Sequence, residues 1–167
     1  MKGQGNLRVG LFGIGLAAYW EQFPGLEERL KASVRVVEEQ LCAPGREVVN
    51  LGLIDSPERG LDAGHEVRRQ DIDLLVLYVT TYALSSTVLP LVRRAKVPVL
   101  VLNLQPEATI DYKRFNALPG RTQMTAEWLA YCSACPVPEL ANVFGRTGIP
   151  FHQVTMSKVL KASYRDA

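Results

Sequence analysis

A chain of 167 residues is one domain long, enough to bury about two thirds of the surface its unfolded form exposes. Hydrophobic residues make up 47% and charged residues 22%, a globular composition that excludes an intrinsically disordered chain. The formal net charge is +2 and the longest basic runs are the pairs Arg68-Arg69 and Arg93-Arg94, so no nucleic-acid partner is expected.

In chain order, apolar runs alternate with amphipathic ones. Residues 9–14 are apolar without interruption and are predicted as a strand buried on both faces. Leu26, Leu30, Val34, Val37 and Leu41 then recur on one helical stripe, with Glu27, Glu28, Lys31, Arg35 and Glu38 on the other faces. Pro44-Gly45 is expected to end that helix. Residues 47–54, EVVNLGLI, form the second expected strand. Ser56 and Pro57 carry a helix start, Ser56 as N-cap and Pro57 at the first helical position. The helix after them, to about Gln70, is polar and is expected to lie on the surface.

Residues 73–79, DLLVLYV, are a third predicted strand, and 85–95 a helix that Pro90 is expected to kink or shorten. A fourth strand is expected over 97–104, helices over 124–131 and 139–147, and a fifth strand over 151–154. Continuous apolar strands separated by helices predict an α/β fold. It is a three-layer α-β-α sandwich around a doubly wound parallel sheet, flavodoxin- or Rossmann-like, with about five strands in the order 2-1-3-4-5. No internal repeat or low-complexity segment interrupts it. In such sheets ligands sit beyond the carboxyl ends of the strands, which singles out the loops 13–25, 55–60, 80–86 and 103–125. The last is about four times the usual connection length, so a functional or interface role is expected of it.

Cys42, Cys132 and Cys135 are too few, and odd in number, for a disulfide framework. No apolar run reaches the length of a membrane span, and the N-terminus MKGQGNLR lacks the apolar region of a signal peptide. A cytoplasmic protein with no membrane partner is expected.

The exit of the first strand, Gly13-Ile14-Gly15-Leu16-Ala17-Ala18, spells the G-x-G-x-x-A of a dinucleotide-binding turn. That motif needs a helix opening inside the glycine turn, so that its N-terminus faces a pyrophosphate. Pro24-Gly25 interrupts the chain after the turn, and the periodic helix starts only near Leu26. The acidic residue expected about 20 residues on is also misplaced, since Asp55 lies much too far along. Gly13 and Gly15 read better as a tight strand exit. The residues just beyond the turn, Tyr19, Trp20, Glu21 and Gln22, have two open readings. Aromatic faces that stack on sugar C–H groups, beside a carboxylate and an amide that bond hydroxyls in pairs, suit a polyol ligand. Equally, Tyr19 and Trp20 are the side chains that would simply cover the sheet edge.

Four stretches, VGLFGIGLAAYWEQFPGL, DLLVLYVTTYALSSTVLP, VPVLVLNLQP and EWLAYCSACPVPELANVFGRTGIPFHQVT, occur in an order that resembles the N-terminal domain of the L-arabinose/L-fucose isomerase family. The resemblance covers the chain to about Thr155. It implies an α/β domain over residues 1–155, and a tail over 156–167 where the family would continue into its later domains. It further implies a multidomain aldose–ketose isomerase that uses a divalent metal, usually Mn2+, and shifts hydrogen between C1 and C2 through an enediol. The family's metal ligands, two carboxylates and two histidines, belong to the later domains and not to these four stretches. What the resemblance assigns to this domain is a wall of the sugar pocket and contacts between subunits of a homo-oligomer, and it implies inactivity of the domain alone.

Residue by residue, Tyr19 and Trp20 stand where the family's first loop lines the pocket, with Glu21 and Gln22 beside them, and Tyr82 matches a pocket aromatic after the third strand. Cys132-Ser133-Ala134-Cys135 corresponds to a Gln-Thr-Ala-His stretch that reaches the neighbouring subunit's site in arabinose enzymes. Histidine is therefore absent at that place, which counts against L-arabinose itself as the substrate. Gln123, Glu127, Cys132 and Cys135 are the interface candidates.

The remaining motifs are weak. Cys132-x-x-Cys135 has no second Cys or His pair to complete a zinc site, and it comes too late for a thioredoxin-like dithiol, so a helix-entry turn at a subunit contact is expected. His65 lies in a polar segment and His152 in a short strand, neither with a carboxylate at metal-ligand spacing. No Ser-His-Asp set, catalytic carboxylate pair or phosphate loop can be assembled. Beside the isomerase reading stand a self-contained sugar- or nucleotide-binding module using the same cleft, and a purely structural oligomerisation domain.

Overall fold

Strands buried on both faces read as continuous apolar runs, and five of these runs line up side by side. The computed structural model describes residues 6–105, 109–131 and 135–157. β1 (Leu7–Ile14), β2 (Arg46–Ile54), β3 (Leu74–Tyr78), β4 (Val99–Gln105) and β5 (Phe151–Ser157) form one sheet in the order β2-β1-β3-β4-β5. Every neighbouring pair is parallel. This is the expected doubly wound α/β sandwich in the expected order.

Each face of the sheet carries its own core. On one face Val9, Leu11, Val76, Tyr78 and Leu104 meet the apolar stripe of α2 (Leu26–Leu41), which buries Leu26, Leu30, Val34 and Val37. The same cluster holds Leu129 and Ala130 of α6 (Arg121–Tyr131). On the other face Phe12, Ile14, Leu75, Leu77, Val99 and Val101 pack against three helices. These are α3 (Pro57–Arg69), α4 (Ser85–Ala95) and α7 (Val137–Arg146). The expected cap of α3 is present: Ser56 Oγ accepts from the Arg59 amide at 3.1 Å, with Pro57 in the first turn.

Several expectations are corrected or refined. α3 does lie on the surface, with Glu58, Leu61, Asp62, Arg68 and Arg69 exposed, but its other face is closely packed: Gly60, Ala63, Gly64 and Val67 are buried, and a Cβ on Gly60 would stand 2.6 Å from the Thr87 carbonyl oxygen of α4. Small residues add little hydropathy, yet they let two backbones approach. Pro90 neither breaks nor shortens α4. The carbonyl that loses its donor belongs to Ser86, on the helix's first turn, where solvent can serve it.

Two five-residue helices, α1 (Ala18–Gln22) and α5 (Tyr112–Asn116), occupy loops where none was expected, being too short to show a period. α6 opens at Arg121 and α7 at Val137, each before its expected start at 124 or 139, because their first turns do not continue the apolar pattern. β5 continues past its expected end at 154 and takes in Met156 and Ser157, its pairing with β4 running to Gln105↔Ser157. The expected tail is otherwise outside the described residues. Among the described residues no helix is long and apolar enough to cross a membrane.

Candidate functional site

In a sheet ordered β2-β1-β3-β4-β5, the chain winds one way from β1 to β2 and the other way from β3 onward. The loops leaving β1 and β3 therefore part company at their carboxyl ends, and the crevice between them is the fold's natural ligand position. Two threonines and a glycine turn build it. Thr80 is buried, accepts from the Ile14 amide at 3.0 Å and donates back to the Ile14 carbonyl, extending the β1–β3 ladder with a side chain. Thr81, fully buried, donates to the Leu129 carbonyl at 2.8 Å and ties the same loop to α6.

The loop after β1 is laid over β2. The amides of Gly15 and Ala17 donate to the carbonyls of Ile54 and Asp55 at 3.0 and 3.1 Å. α1 then returns the Trp20 indole over the turn, where its Nε1 donates to Asp55 Oδ2 at 2.7 Å. A Cβ on Gly15 would lie 2.7 Å from the Trp20 ring. The space that a pyrophosphate needs above a fingerprint glycine is filled by an aromatic ring, and the only helix opening at the turn is five residues long. Gly13 is equally structural, since a Cβ would meet Leu53 and Val34 at 2.7 Å.

Tyr19 packs edge-on against Trp20 and Phe23, with ring centroids 6.4 and 5.9 Å apart. Partial burial pushes its phenol above the ordinary tyrosine range, and the neighbouring Tyr82 hydroxyl pushes it the same way. Tyr19 and Tyr82, one from each loop, both pack against the α2-side core. Glu21 and Gln22 do not join them: both are exposed, and the Gln22 amide donates to the Ala18 carbonyl at 2.8 Å.

The interface candidates separate as well. Glu127 is mostly buried and bound within the chain, accepting from Arg29 at 2.6 and 3.4 Å with Arg114 at 3.9 Å. Gln123 is exposed on α6. Cys135 is disulfide-bonded, while Cys132 lies outside the described residues and Cys42 is free and exposed.

Sequence reasoning missed three polar residues. Asp55 anchors Trp20; its signal was an acid at the carboxyl end of the strand beside β1, which the fingerprint argument treats only as a misplaced ribose ligand. Glu139 reaches from α7 to accept from the Ser85 amide at 2.7 Å, capping α4. Asn103, nearly fully buried at the end of β4, donates to Thr155 Oγ1 at 3.4 Å and leaves its Oδ1 without a partner among the described residues. An amide interrupting the run VPVLVLNL was its signal.

Among the described residues no three His, Cys, Asp or Glu side chains come close enough to hold a metal, with His65 on α3 and His152 on β5. The described residues therefore do not fit Mn2+, and no chemical step through it is derived. Among the described residues, what the two loops bring to this end of the sheet is aromatic ring surface and the phenol hydroxyls of Tyr19 and Tyr82. No protein-family model matches the chain, and no curated protein matches it significantly.

Proposed function

We propose that the chain is the N-terminal, substrate-pocket and oligomer-contact domain of a metal-dependent aldose–ketose isomerase of the L-arabinose/L-fucose type. The observation that carries the reading is that Tyr19 and Tyr82, one from each loop bounding the β1/β3 crevice, pack against the same core, and both stand where the resembled family lines its sugar pocket. Their rings supply C–H stacking surface and their hydroxyls bond the alternating oxygens of a polyol. Trp20 backs this wall, its indole N–H committed to Asp55. On this reading the metal ligands come from other domains, and this chain alone binds without turning over.

The test is thermal unfolding of the purified chain against L-fucose, L-arabinose and other aldoses, with AMP and NAD as controls. A sugar at about a hundred times its dissociation constant should stabilise the chain by about 2.7 kcal/mol, and Tyr82→Ala should remove the shift. Stabilisation by a nucleotide alone would overturn the sugar reading and favour a nucleotide-binding module. Robust aldose-to-ketose conversion by this chain with added Mn2+ would overturn its assignment as a non-catalytic part.

A further inference from the structure

The two edges of the sheet are finished in opposite ways. β2 begins with the charged pair Arg46-Glu47, and Glu47 is held by Arg8 at 2.9 Å. Farther along, Leu51 and Gly52 stand opposite Phe12 alone, a bulge in which Gly52 takes φ +76° and its amide is held by the Asn50 side chain. Charge and a bulge are how natural proteins stop an edge from pairing. β5 has neither. Its seven residues, FHQVTMS, contain no Lys, Arg, Asp, Glu, Pro or Gly, and its register with β4 is unbroken from Phe151 to Ser157. Among the described residues nothing pairs with its outer edge.

The flank of that edge is apolar too. Val154 and Met156 stand in register with Leu102 and Leu104 and so lie on the α2/α6 side of the sheet. They are 38% and 48% exposed, and Trp128 of α6, on the same side, is 45% exposed. α6 buries Leu129 and Ala130 without extending its cover over β5.

We infer that β5 is the contact strand of a two-fold dimer of this chain, pairing antiparallel with β5 of a second copy about Val154. Symmetry then sets Phe151 opposite Ser157, His152 opposite Met156, Gln153 opposite Thr155 and Val154 opposite itself, with no like charges facing. The second copy is favoured over a foreign strand because one isologous contact closes both open edges at once. The resulting ten-stranded sheet ends on β2 at both sides, and β2 is the strand built not to pair. The same operation brings Val154 and Met156 of both copies together on one side of the joined sheet. The alternative contact, β5 on β2, would propagate without closing, and the bulge and charges of β2 oppose it. The inference stands apart from the sugar reading, since it uses none of the crevice residues.

Sedimentation equilibrium over a range of concentrations tests it. The unmodified chain is expected to associate to a species of two chains. Val154→Lys, which brings two ammonium groups together on the axis, should weaken that association by at least tenfold, on the order of 1.4 kcal/mol. An equimolar mixture of V154K and V154E should restore it as a heterodimer, which also shows that both variants are folded. Amide exchange across residues 151–157 of the unmodified chain, slower at high than at low concentration, reads the same contact without a substitution. A chain that stays monomeric throughout, or a dimer indifferent to V154K, would overturn the inference. Failure of the two charged variants to pair would overturn the register about Val154.

Discussion

Gly15 is glycine because the indole of Trp20 occupies the space that a Cβ would need, 2.7 Å from the nearest ring atom. The ring cannot swing aside cheaply, because its Nε1 is tethered to Asp55. Gly15→Ala is expected to destabilise the fold by about 1–3 kcal/mol, and urea unfolding of G15A should show most of that loss vanish in a Trp20→Ala background. A loss that persists without Trp20 would mean that the backbone, not the ring, demands glycine. Tyr19 supports a pH-dependent prediction. Its phenol is favoured in the protonated form by partial burial and by Tyr82, so its folded pKa exceeds its unfolded one. The stabilisation is fully present below the unfolded value and is lost as pH rises through the folded one. Urea midpoints from about pH 9 to about pH 12 should therefore fall less steeply for Tyr19→Phe than for the unmodified chain.

At the scale of elements, α3 shows what a hydropathy pattern leaves out. Leu61 on this helix is 43% exposed, while Gly60, Ala63 and Gly64 are buried against α4. A stripe of small residues is silent in hydropathy although it forms the closest helix contact on that face. Gly60→Ala must displace the Thr87 backbone, and it should cost about 1–3 kcal/mol by thermal or urea unfolding. Gly145 sits within α7 with nothing within 4 Å of an added Cβ, so Gly145→Ala should stabilise by about 0.4–1 kcal/mol. Opposite signs for two helical glycines result from what each Cβ would meet. α2, by contrast, was legible from its sequence: its stripe Leu26, Leu30, Val34 and Val37 is the buried face observed, because large apolar side chains at the helical period have only one place to go.

For the molecule as a whole, the crevice depends on Thr80, whose hydroxyl holds both the amide and the carbonyl of Ile14 where the β1–β3 ladder ends. Thr80→Val keeps the shape but strips both groups of that partner in a buried place, and should lower stability by about 1–3 kcal/mol in urea unfolding. If Tyr82 forms one wall of the ligand site, T80V should also weaken sugar binding, while G145A should leave it unchanged. The architecture was written in the sequence because parallel strands buried on both faces must be apolar throughout, and right-handed crossovers leave few orders for five of them. The residues that would form a ligand wall were legible only as separate candidates. Tyr19 and Tyr82 are 63 positions apart, and nothing in either loop states that the two rings pack against the same core. Likewise, only the folded sheet shows that β5 ends as a bare edge while β2 ends as a guarded one, since strand order decides which strands have a free side. Period and composition act through each residue's own burial, and the sequence by itself therefore determined the fold class and the buried face of α2. Pairings such as Trp20 with Asp55, Glu127 with Arg29 and Glu139 with the Ser85 amide depend on where distant segments arrive, and only the tertiary structure decided them.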